Sequence, residues 1–173
     1  MLRALCLCSL MFLLSGCTTL GKMAQVAANP DIQVGSNNHQ PSTVGFSLLA
    51  EPDVNPNDSG EAAPIEFQLV LLAEDSRLLA TDYDQITTDI EKALAKNYIN
   101  HQDYTLLPGQ FKYLPPEALD EKVHYLGVVA RYADSESAEW RKVIKLKNTG
   151  QTYQILVHLR RDEVEIKKDQ EEE

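Results

Sequence analysis

The sequence predicts an all-β protein, a sandwich of two sheets with about seven to eight short strands and a small helical insertion. Apolar and polar residues alternate in short segments along most of the chain, which is typical of strands with one buried face. Turn residues separate these segments at short intervals. Strands do not alternate with long helices, as a parallel sheet would require, so sequential antiparallel strands are expected.

The first two predicted strands flank a long loop. Val44, Phe46 and Leu48 alternate with small residues in the first strand, and residues 65–71 repeat this pattern in the second. Residues 51–64 hold three prolines, two asparagines and a glycine, which predict an exposed loop. We expect the two strands to be adjacent, and a hairpin needs only about 2 to 5 linking residues. The excess length indicates a binding loop, with a plain connector as the alternative.

A helix is predicted after the second strand, because Ile86, Ile90 and Leu94 recur at a spacing of four residues. Asp82 is its candidate N-cap, and the helix should end near residues 97–100. A helix of this length is expected to cover one edge of a sheet.

The middle of the chain is predicted to contain a turn, a short strand and a central strand. Pro108 and Gly109 form the turn, and residues 110–114 form the short strand. Residues 115–119, Pro-Pro-Glu-Ala-Leu, are expected to form one helical turn begun by proline. Residues 123–132 are apolar on both faces, which indicates a central strand.

Three further strands are predicted at residues 140–146, 153–160 and 164–166, with a turn at residues 148–150. Trp140 begins the apolar face of the first of these strands. We expect it to be a core aromatic, and an interface anchor is the alternative.

Residues 1–16 are organised as a lipoprotein signal peptide. A basic residue precedes an apolar run at residues 4–14, which is too short to span a membrane. Leu-Ser-Gly-Cys at residues 14–17 looks like a bacterial lipobox, whose cysteine receives diacylglycerol on its thiol and an N-acyl chain on its new amino group. Cys17 is therefore the predicted lipidation site, and a chance cysteine after an ordinary signal peptide is the alternative. The other two cysteines lie in the removed segment, so no thiol chemistry remains.

The mature chain is predicted to have three parts. Residues 17–42 form a lipidated flexible tether, residues 43–167 form the sandwich, and residues 168–173 form an acidic disordered tail. The formal net charge of -10 argues against nucleic acid as a partner and against electrostatic adhesion to anionic lipid.

The sequence contains no recognisable catalytic, metal or cofactor site. The histidines stand far apart without partners at ligand spacing, and motifs for a nucleophile elbow, a P-loop or a dinucleotide site are absent. Two carboxylate pairs occupy polar segments, where solvated charge is favoured over a general acid. We predict that the protein is not an enzyme and has no small-molecule substrate. The residues weighed are His39, His101, His124 and His158, and the pairs Asp82 with Asp84 and Asp134 with Glu136.

Several segments together resemble the TssJ (SciN) family, the outer-membrane lipoproteins of the type VI secretion system. The match depends on their order and spacing more than on any one motif. The segments are residues 14–17, 55–64 leading into the second strand, 82–84, 107–109, 125–134 and 140–141. The resemblance implies a transthyretin-like β-sandwich with an added helical element and without enzymatic activity.

The resemblance also implies a structural role at the periplasmic face of the outer membrane. A protein of this family anchors the trans-envelope complex by binding the C-terminal periplasmic domain of TssM, and is linked indirectly to TssL. No acidic inner-membrane retention residue follows Cys17, in keeping with outer-membrane sorting. In the family the first inter-strand loop matters for the contact. The implied partner-binding residues are Asp53, Val54, Asn55, Pro56, Asn57 and Asp58.

Two further expectations concern this loop and the function. Val54 is the one large apolar residue among the six, so deletion of residues 53–58 is expected to spare the fold. The alternative function is a small-ligand-binding periplasmic lipoprotein, because sandwiches can hold ligands between or at the ends of their sheets.

Overall fold

Eight strands form two four-stranded sheets in the computed structural model, which describes residues 40–169. The predicted all-β sandwich is confirmed. The strands are β1 (Thr43–Ala50), β2 (Ile65–Leu72), β3 (Tyr98–Leu106), β4 (Phe111–Ala118), β5 (Tyr125–Arg131), β6 (Arg141–Lys145), β7 (Thr152–Leu159) and β8 (Val164–Lys168).

The strand order places β1 and β2 in different sheets. The first sheet has the order β4-β1-β7-β8, and the second has the order β3-β2-β5-β6. β1 and β7 are parallel, and the other neighbouring strands are antiparallel. The expectation that the first two strands are adjacent is therefore wrong. Facing sheets lie about 10 Å apart, so part of the loop between β1 and β2 is needed to cross from one sheet to the other.

The main core lies between the two sheets. On β1 the inward side chains are Val44, Phe46 and Leu48, and all three are buried, as their alternation predicts. β5 has neighbours on both sides, and its residues 126–130 are buried, which confirms the predicted central strand. Removal of this apolar surface from water is the main stabilising contribution to the sandwich.

Three short helices form a second apolar cluster with the outer face of the second sheet. They are α1 (Ser76–Ala80), α2 (Tyr83–Thr88) and α3 (Ile90–Leu94), and they cover Val70, Leu72 and Val129. The prediction of one helix on a sheet edge is thus wrong: there are three helices, and they cover a face of the sheet. The three spaced apolar residues of the predicted helix are nevertheless all buried.

The predicted helix is interrupted at Asp89. This residue has an extended backbone, with φ of -156° and ψ of 92°, and its side chain accepts a hydrogen bond from the backbone N–H of Lys92. Asp89 therefore ends α2 and caps α3. The predicted cap, Asp82, does occupy the N-cap position of α2, but its side chain makes no capping hydrogen bond.

Trp140 joins the helices to the sandwich. Its half-buried ring packs against both apolar clusters and meets the ring of Tyr83 edge to face at a centroid distance of 5.2 Å. The guanidinium of Arg141 lies 4.6 Å from the Trp140 ring centroid and donates a hydrogen bond to the backbone oxygen of Leu78. The expected core position of Trp140 agrees with these contacts.

β3 and β4 are the two strands that the sequence pattern does not predict correctly. β3 occupies residues expected to follow the helix end, and only Leu106 in it is fully buried. β4 continues through Pro115 and Pro116, where a helical turn was expected. Both are edge strands, and an edge tolerates polar residues and prolines that a central strand excludes.

The prolines of β4 fit beside β1 because residue 45 is glycine. The β1–β4 register shifts between Val44 and Phe46, which marks a bulge opposite the two prolines. A β-carbon at Gly45 would lie 3.2 Å from the ring of Pro116 and 2.7 Å from the side-chain oxygen of Gln154. The missing side chain therefore lets the bulged strand approach β1 closely.

The described fold extends slightly beyond the predicted sandwich limits of residues 43–167. Ser42 is buried, and its N–H donates a hydrogen bond to the oxygen of Asn148. At the other end, Lys168 is the last residue of β8, and the N–H of Asp169 bonds to the oxygen of Gln154. The predicted signal peptide, most of the tether and the remainder of the tail lie outside the described residues.

The helical layer gives a first testable prediction, at Gly127 of β5. A β-carbon there would lie 2.4 Å from the buried side chain of Leu78 in α1 and 3.4 Å from Leu72. We expect Gly127→Ala to lower the free energy of unfolding by about 1–3 kcal/mol, because the tightly packed cluster must shift to make room. Urea denaturation measures this effect, with the exposed Thr105→Ala of the same sheet as the control. Equal midpoints for the two variants would contradict the prediction.

Candidate partner-binding loop face

The loop at residues 51–64 lies at one end of the sandwich, and three other loops share that end. The strand register requires this arrangement, because Ala50 is level with Leu159, Ile65 with Leu106, and Glu66 with Arg131. We call this end the loop face. Its members are residues 51–64, 107–110, 132–140 and 160–163.

Val54 and Asn55 fix the loop to the body of the domain. The side chain of Val54 is fully buried in the main core, and Asn55 is 7% exposed. Asn55 has a φ of 49°, a left-handed conformation that asparagine adopts more readily than most residues. Two of the six predicted partner-binding residues therefore have a structural role, and their side chains are not free to contact a partner.

Asn55 connects three segments of the loop face through its side chain and its backbone N–H. Its Nδ2 donates to the backbone oxygen of Pro64 at 2.8 Å, and its Oδ1 accepts from the backbone N–H of Ala133 at 2.7 Å. Its own backbone N–H donates to the oxygen of Arg161 at 3.0 Å. One residue thus holds the base of the loop against the β5–β6 and β7–β8 loops.

Beyond Asn55 the loop forms a compact exposed turn. Pro56 and Ala62 make an isolated antiparallel bridge, and the side-chain oxygen of Asn57 accepts from the backbone N–H groups of Ser59 and Glu61. Gly60, with a φ of 78°, completes the turn in a conformation that suits glycine. The tip is therefore pre-organised, which reduces the entropy lost when a partner binds it.

The remaining predicted loop residues are available to a partner. Asp53, Asn57 and Asp58 are exposed, and Pro56 is half-buried. The Asp53 carboxylate lies 3.7 Å from the guanidinium of Arg161, and both side chains are more than half exposed. The surface presented at the tip is therefore polar and acidic, with one cation beside it.

An ionic cluster on the outer face of the first sheet lies beneath the loop. His158 Nε2 is 3.1 Å from Glu51, the first loop residue, and Arg160 bonds to both Glu51 and Glu165. The hydrogen bond from Lys167 lowers the pKa of the Glu165 carboxyl, and the Glu165 carboxylate raises the pKa of Arg160. His158 is therefore paired at the sheet surface, as expected from its place on a strand.

Tyr132 ties the β5–β6 loop to the β7–β8 loop. Its hydroxyl donates to the backbone oxygen of Arg160 at 3.1 Å, and only 4% of the residue is exposed. Burial raises the pKa of this phenol well above its ordinary value, so it remains a neutral donor at physiological pH. From the sequence, Tyr132 is predicted only to be the last residue of the central strand, and its hydrogen bond to the β7–β8 loop is not predicted.

A family model and solved structures identify the group to which this fold belongs. The T6SS-SciN family, described as the type VI secretion lipoproteins VasD, EvfM and TssJ, matches residues 42–162. The chain belongs to this family. The TssJ resemblance drawn from the sequence is therefore confirmed. No curated protein sequence matches the chain.

Solved structures of type VI secretion lipoproteins have the same β-sandwich fold. The T6SS lipoprotein TssJ1 from Pseudomonas aeruginosa is 28% identical with a TM-score of 0.71, over 76% of this chain and 99% of that chain. Serratia marcescens Lip, a membrane bound component of the type VI secretion system, is 21% identical with a TM-score of 0.64, over the same shares. A structure described as the T6SS protein TssM C-terminal domain from EAEC contains a chain that is 18% identical, with a TM-score of 0.61, over 72% of this chain and 97% of that chain.

The structure places the two carboxylate pairs weighed in the sequence on different elements, and the second pair belongs to the loop face. Asp82 and Asp84 lie at the start of α2, and Asp134 and Glu136 lie in the β5–β6 loop. In residues 40–169 no group of histidine, cysteine and carboxylate side chains is arranged to hold a metal ion. The same residues include no helix long and apolar enough to cross a membrane. Cys17 and His39 lie outside the described residues, so the lipidation site remains a prediction.

Proposed function

We propose that this type VI secretion lipoprotein anchors the secretion system's membrane complex to the outer membrane. Cys17 carries the lipid at the periplasmic face, and the loop face binds the C-terminal periplasmic domain of TssM. TssL is linked indirectly through TssM. Membership of the family supports this role. The likeness to a chain in the structure described as the TssM C-terminal domain supports it as well. The protein acts by binding, without catalysis or a cofactor beyond the covalent lipid.

The observation that carries the proposal is the separation of the two attachment points. β1 begins next to Ser42, where residues 17–39 connect to the domain, and it ends at the loop. Eight residues at about 3.3 Å each place these points about 25 Å apart, at opposite ends of the sandwich. β8 runs away from the loop face, from Val164 beside Leu159 to Lys168 beside Ile155. Neither end of the described domain therefore lies at the loop face.

The loop face suits a protein partner because its base is rigid and its tip is exposed. Asn55 fixes the base by hydrogen bonds to two other loops, and the turn at residues 56–62 is closed by its own backbone. The exposed residues of the tip supply hydrogen-bonding groups and negative charge. We therefore assign the partner contact to Asp53, Pro56, Asn57 and Asp58, and a supporting role to Val54 and Asn55.

The alternative, a small-ligand carrier, is weaker because the described part of the chain offers little room for a ligand. One cleft lies where the two sheets part at the β3 and β4 edges; it is lined by Phe46, Leu69, Leu71 and Leu114, and its volume is about 100 Å³. A polar depression beside Arg131 has a volume of about 280 Å³. Ligand pockets usually have about 300–1,000 Å³. The adaptor function is therefore the better supported of the two.

The loop tip gives a direct test of the proposal. We expect Asp58→Arg to weaken binding of the TssM domain about tenfold, because it reverses a charge at the centre of the proposed contact. Its melting temperature should not change, since Asp58 is exposed. Isothermal titration calorimetry with the lipid-free mature chain, residues 18–173, measures the affinity.

Glu121→Arg is the matched control for this experiment. Glu121 is equally exposed, but it lies in the β4–β5 connection at the opposite end of the sandwich. An equal loss of affinity in both variants would assign the effect to overall charge rather than to the loop face. Absence of binding by the folded wild-type chain would overturn the adaptor function itself.

A further inference from the structure

An exposed apolar patch lies on the edge strand β4, beside the loop face. Leu107, Phe111 and Tyr113 are 57%, 58% and 53% exposed, and they are three of the four large apolar side chains that are strongly exposed in residues 40–169. Phe111 pairs with Leu49 of β1 and Tyr113 with Ser47. Because Phe46 and Leu48 point into the core, Phe111 and Tyr113 project from the outer face of the first sheet.

The backbone of the same residues is directed away from the sheet. The N–H of Ala50 donates to the oxygen of Gln110, so these two residues form a hydrogen-bonded pair. Such pairs recur at every second residue of an antiparallel ladder, and the N–H and C=O groups of Lys112 and Leu114 therefore point towards β1. The alternation along a strand then directs the corresponding groups of Phe111 and Tyr113 away from β1. β4 is an edge strand among the described residues, so these groups form an open hydrogen-bonding edge.

The open edge has a defined length. Pro115 and Pro116 have no N–H groups, and they occupy a bulge that separates the remainder of β4 from this segment. Prolines and bulges are devices that prevent a sheet edge from pairing with another chain. In β4 they protect only the half that is remote from the loop face, and residues 111–114 remain unprotected.

Exposed charged residues lie on the other sheet edges, including Asp103 on β3. Lys142 and Lys145 are exposed on β6, and Lys167 is exposed on β8. Charged residues on an edge disfavour added strands. The one charged residue of the open segment, Lys112, lies over the ring of Tyr104, 5.0 Å from its centroid, on the inward-facing side of β4.

We propose that residues 111–113 of β4 accept an extended apolar segment of the protein that docks on the loop face, which adds a strand to the first sheet. Main-chain hydrogen bonds to Phe111 and Tyr113 supply affinity, and their rings provide an apolar surface for the side chains of the added segment. This inference rests on the proposed function, because it names the binding mode of the same partner.

Two observations select this occupant. A strand that pairs with only residues 111–113 buries far less surface than the roughly 800 Å² per partner of a stable interface. The edge alone therefore cannot bind a second copy of the chain or an independent partner stably. The edge is also continuous with the loop face, since Gly109 N–H donates to the oxygen of Glu51 and Gln110 bonds to Ala50. A partner seated on the loops therefore reaches the edge without a second docking event.

Residue-resolved amide hydrogen exchange tests the proposal. The probe is the C-terminal periplasmic domain of the cognate TssM, added to the lipid-free mature chain, which contains every described residue. The amides of Phe111 and Tyr113 should exchange rapidly in the free protein and at least tenfold more slowly in the complex. The amides of Lys112 and Leu114 should be slow in both states, and they serve as internal controls within the same strand.

The possible outcomes separate this inference from the proposed function. Protection of the loop tip without protection of Phe111 and Tyr113 would overturn strand addition and leave the adaptor function intact. Protection of the two amides in the free protein, increasing with its concentration, would assign the edge to a second copy and also overturn the inference. Absence of any binding by folded protein would overturn both proposals.

A pair of substitutions provides a second test. Tyr113→Lys places a charge on the open edge and should weaken binding of the TssM domain at least tenfold. Leu79→Lys makes the same kind of change at a comparably exposed residue on α1, and it should leave the affinity unchanged. Equal affinities of the two variants would overturn the inference.

Discussion

Asn55→Ala is expected to lower the free energy of unfolding by about 3 kcal/mol, although the residue lies in a loop. The substitution removes the part-buried side-chain bonds to Pro64 and Ala133 and leaves the Pro64 carbonyl and the Ala133 N–H without those partners. Each unsatisfied buried group costs about 1–3 kcal/mol. Alanine is also less stable than asparagine at a φ of 49°, which adds to the loss.

Urea denaturation monitored by circular dichroism measures this loss, and Asn57→Ala is the matched control. Asn57 is the same residue type two positions along the same loop, but it is exposed, and its side chain serves only the local turn. We expect the control to lose less than about 1 kcal/mol. A loss in Asn55→Ala no larger than in the control would show that the three loops are held together by other contacts.

The same reasoning corrects the expected result of deleting residues 53–58. From the sequence, the deletion appears harmless because it removes one large apolar residue. In the structure that residue, Val54, is fully buried, and Asn55 holds two other loops in place. Deletion should therefore destabilise the domain, and substitutions at the exposed tip are the appropriate test of partner binding.

Cys17→Ser is expected to release the protein from the membrane and to abolish assembly of the secretion complex. A buried acyl chain contributes about 0.8 kcal/mol per methylene, and two or more chains give stable anchoring. The net charge of the chain also opposes adhesion to anionic lipid. The domain itself should fold normally, because the cysteine precedes the described fold by more than twenty residues.

Membrane fractionation and a secretion assay in cells measure the two effects. Cys8→Ser is the matched control, because it makes the same substitution in the apolar run that is removed with the signal peptide. The control should remain in the membrane fraction and support secretion. Intact secretion by Cys17→Ser would exclude the anchoring mechanism, whereas retention of that variant in the membrane would point to an attachment other than the lipid.

The sequence predicts those strands that have a clear apolar pattern. β7 buries every second residue and β1 nearly so, β2 buries six of its eight residues, and β5 is apolar on both faces, so the hydrophobic pattern is sufficient to find them. β3 and β4 are edge strands with few buried residues, and their polar residues and prolines resemble those of a loop. The break at Asp89 was also not predicted, because the apolar spacing continues across it.

The candidate site is likewise predicted only in part from the sequence. Turn chemistry identifies residues 51–64 as a loop and predicts the exposed tip. The role of Asn55 depends on contacts with residues 133 and 161, which are far away in the sequence and meet it only through the strand order. The apolar edge at residues 111–113 was not predicted either, because its exposure follows from the edge position of β4.

The parallel pairing of β1 with β7 has a consequence for the rate of folding. β1 is the first strand of residues 40–169, yet it lies inside its sheet between β4 and β7, and the bond from Gln151 to Ser42 spans 109 residues. Contacts of such long range slow folding, since a large loop must close before the sheet gains any stability. The first sheet cannot assemble until nearly the whole domain is available. If the predicted signal peptide directs export, we expect this delay to help keep the domain unfolded while it crosses the inner membrane.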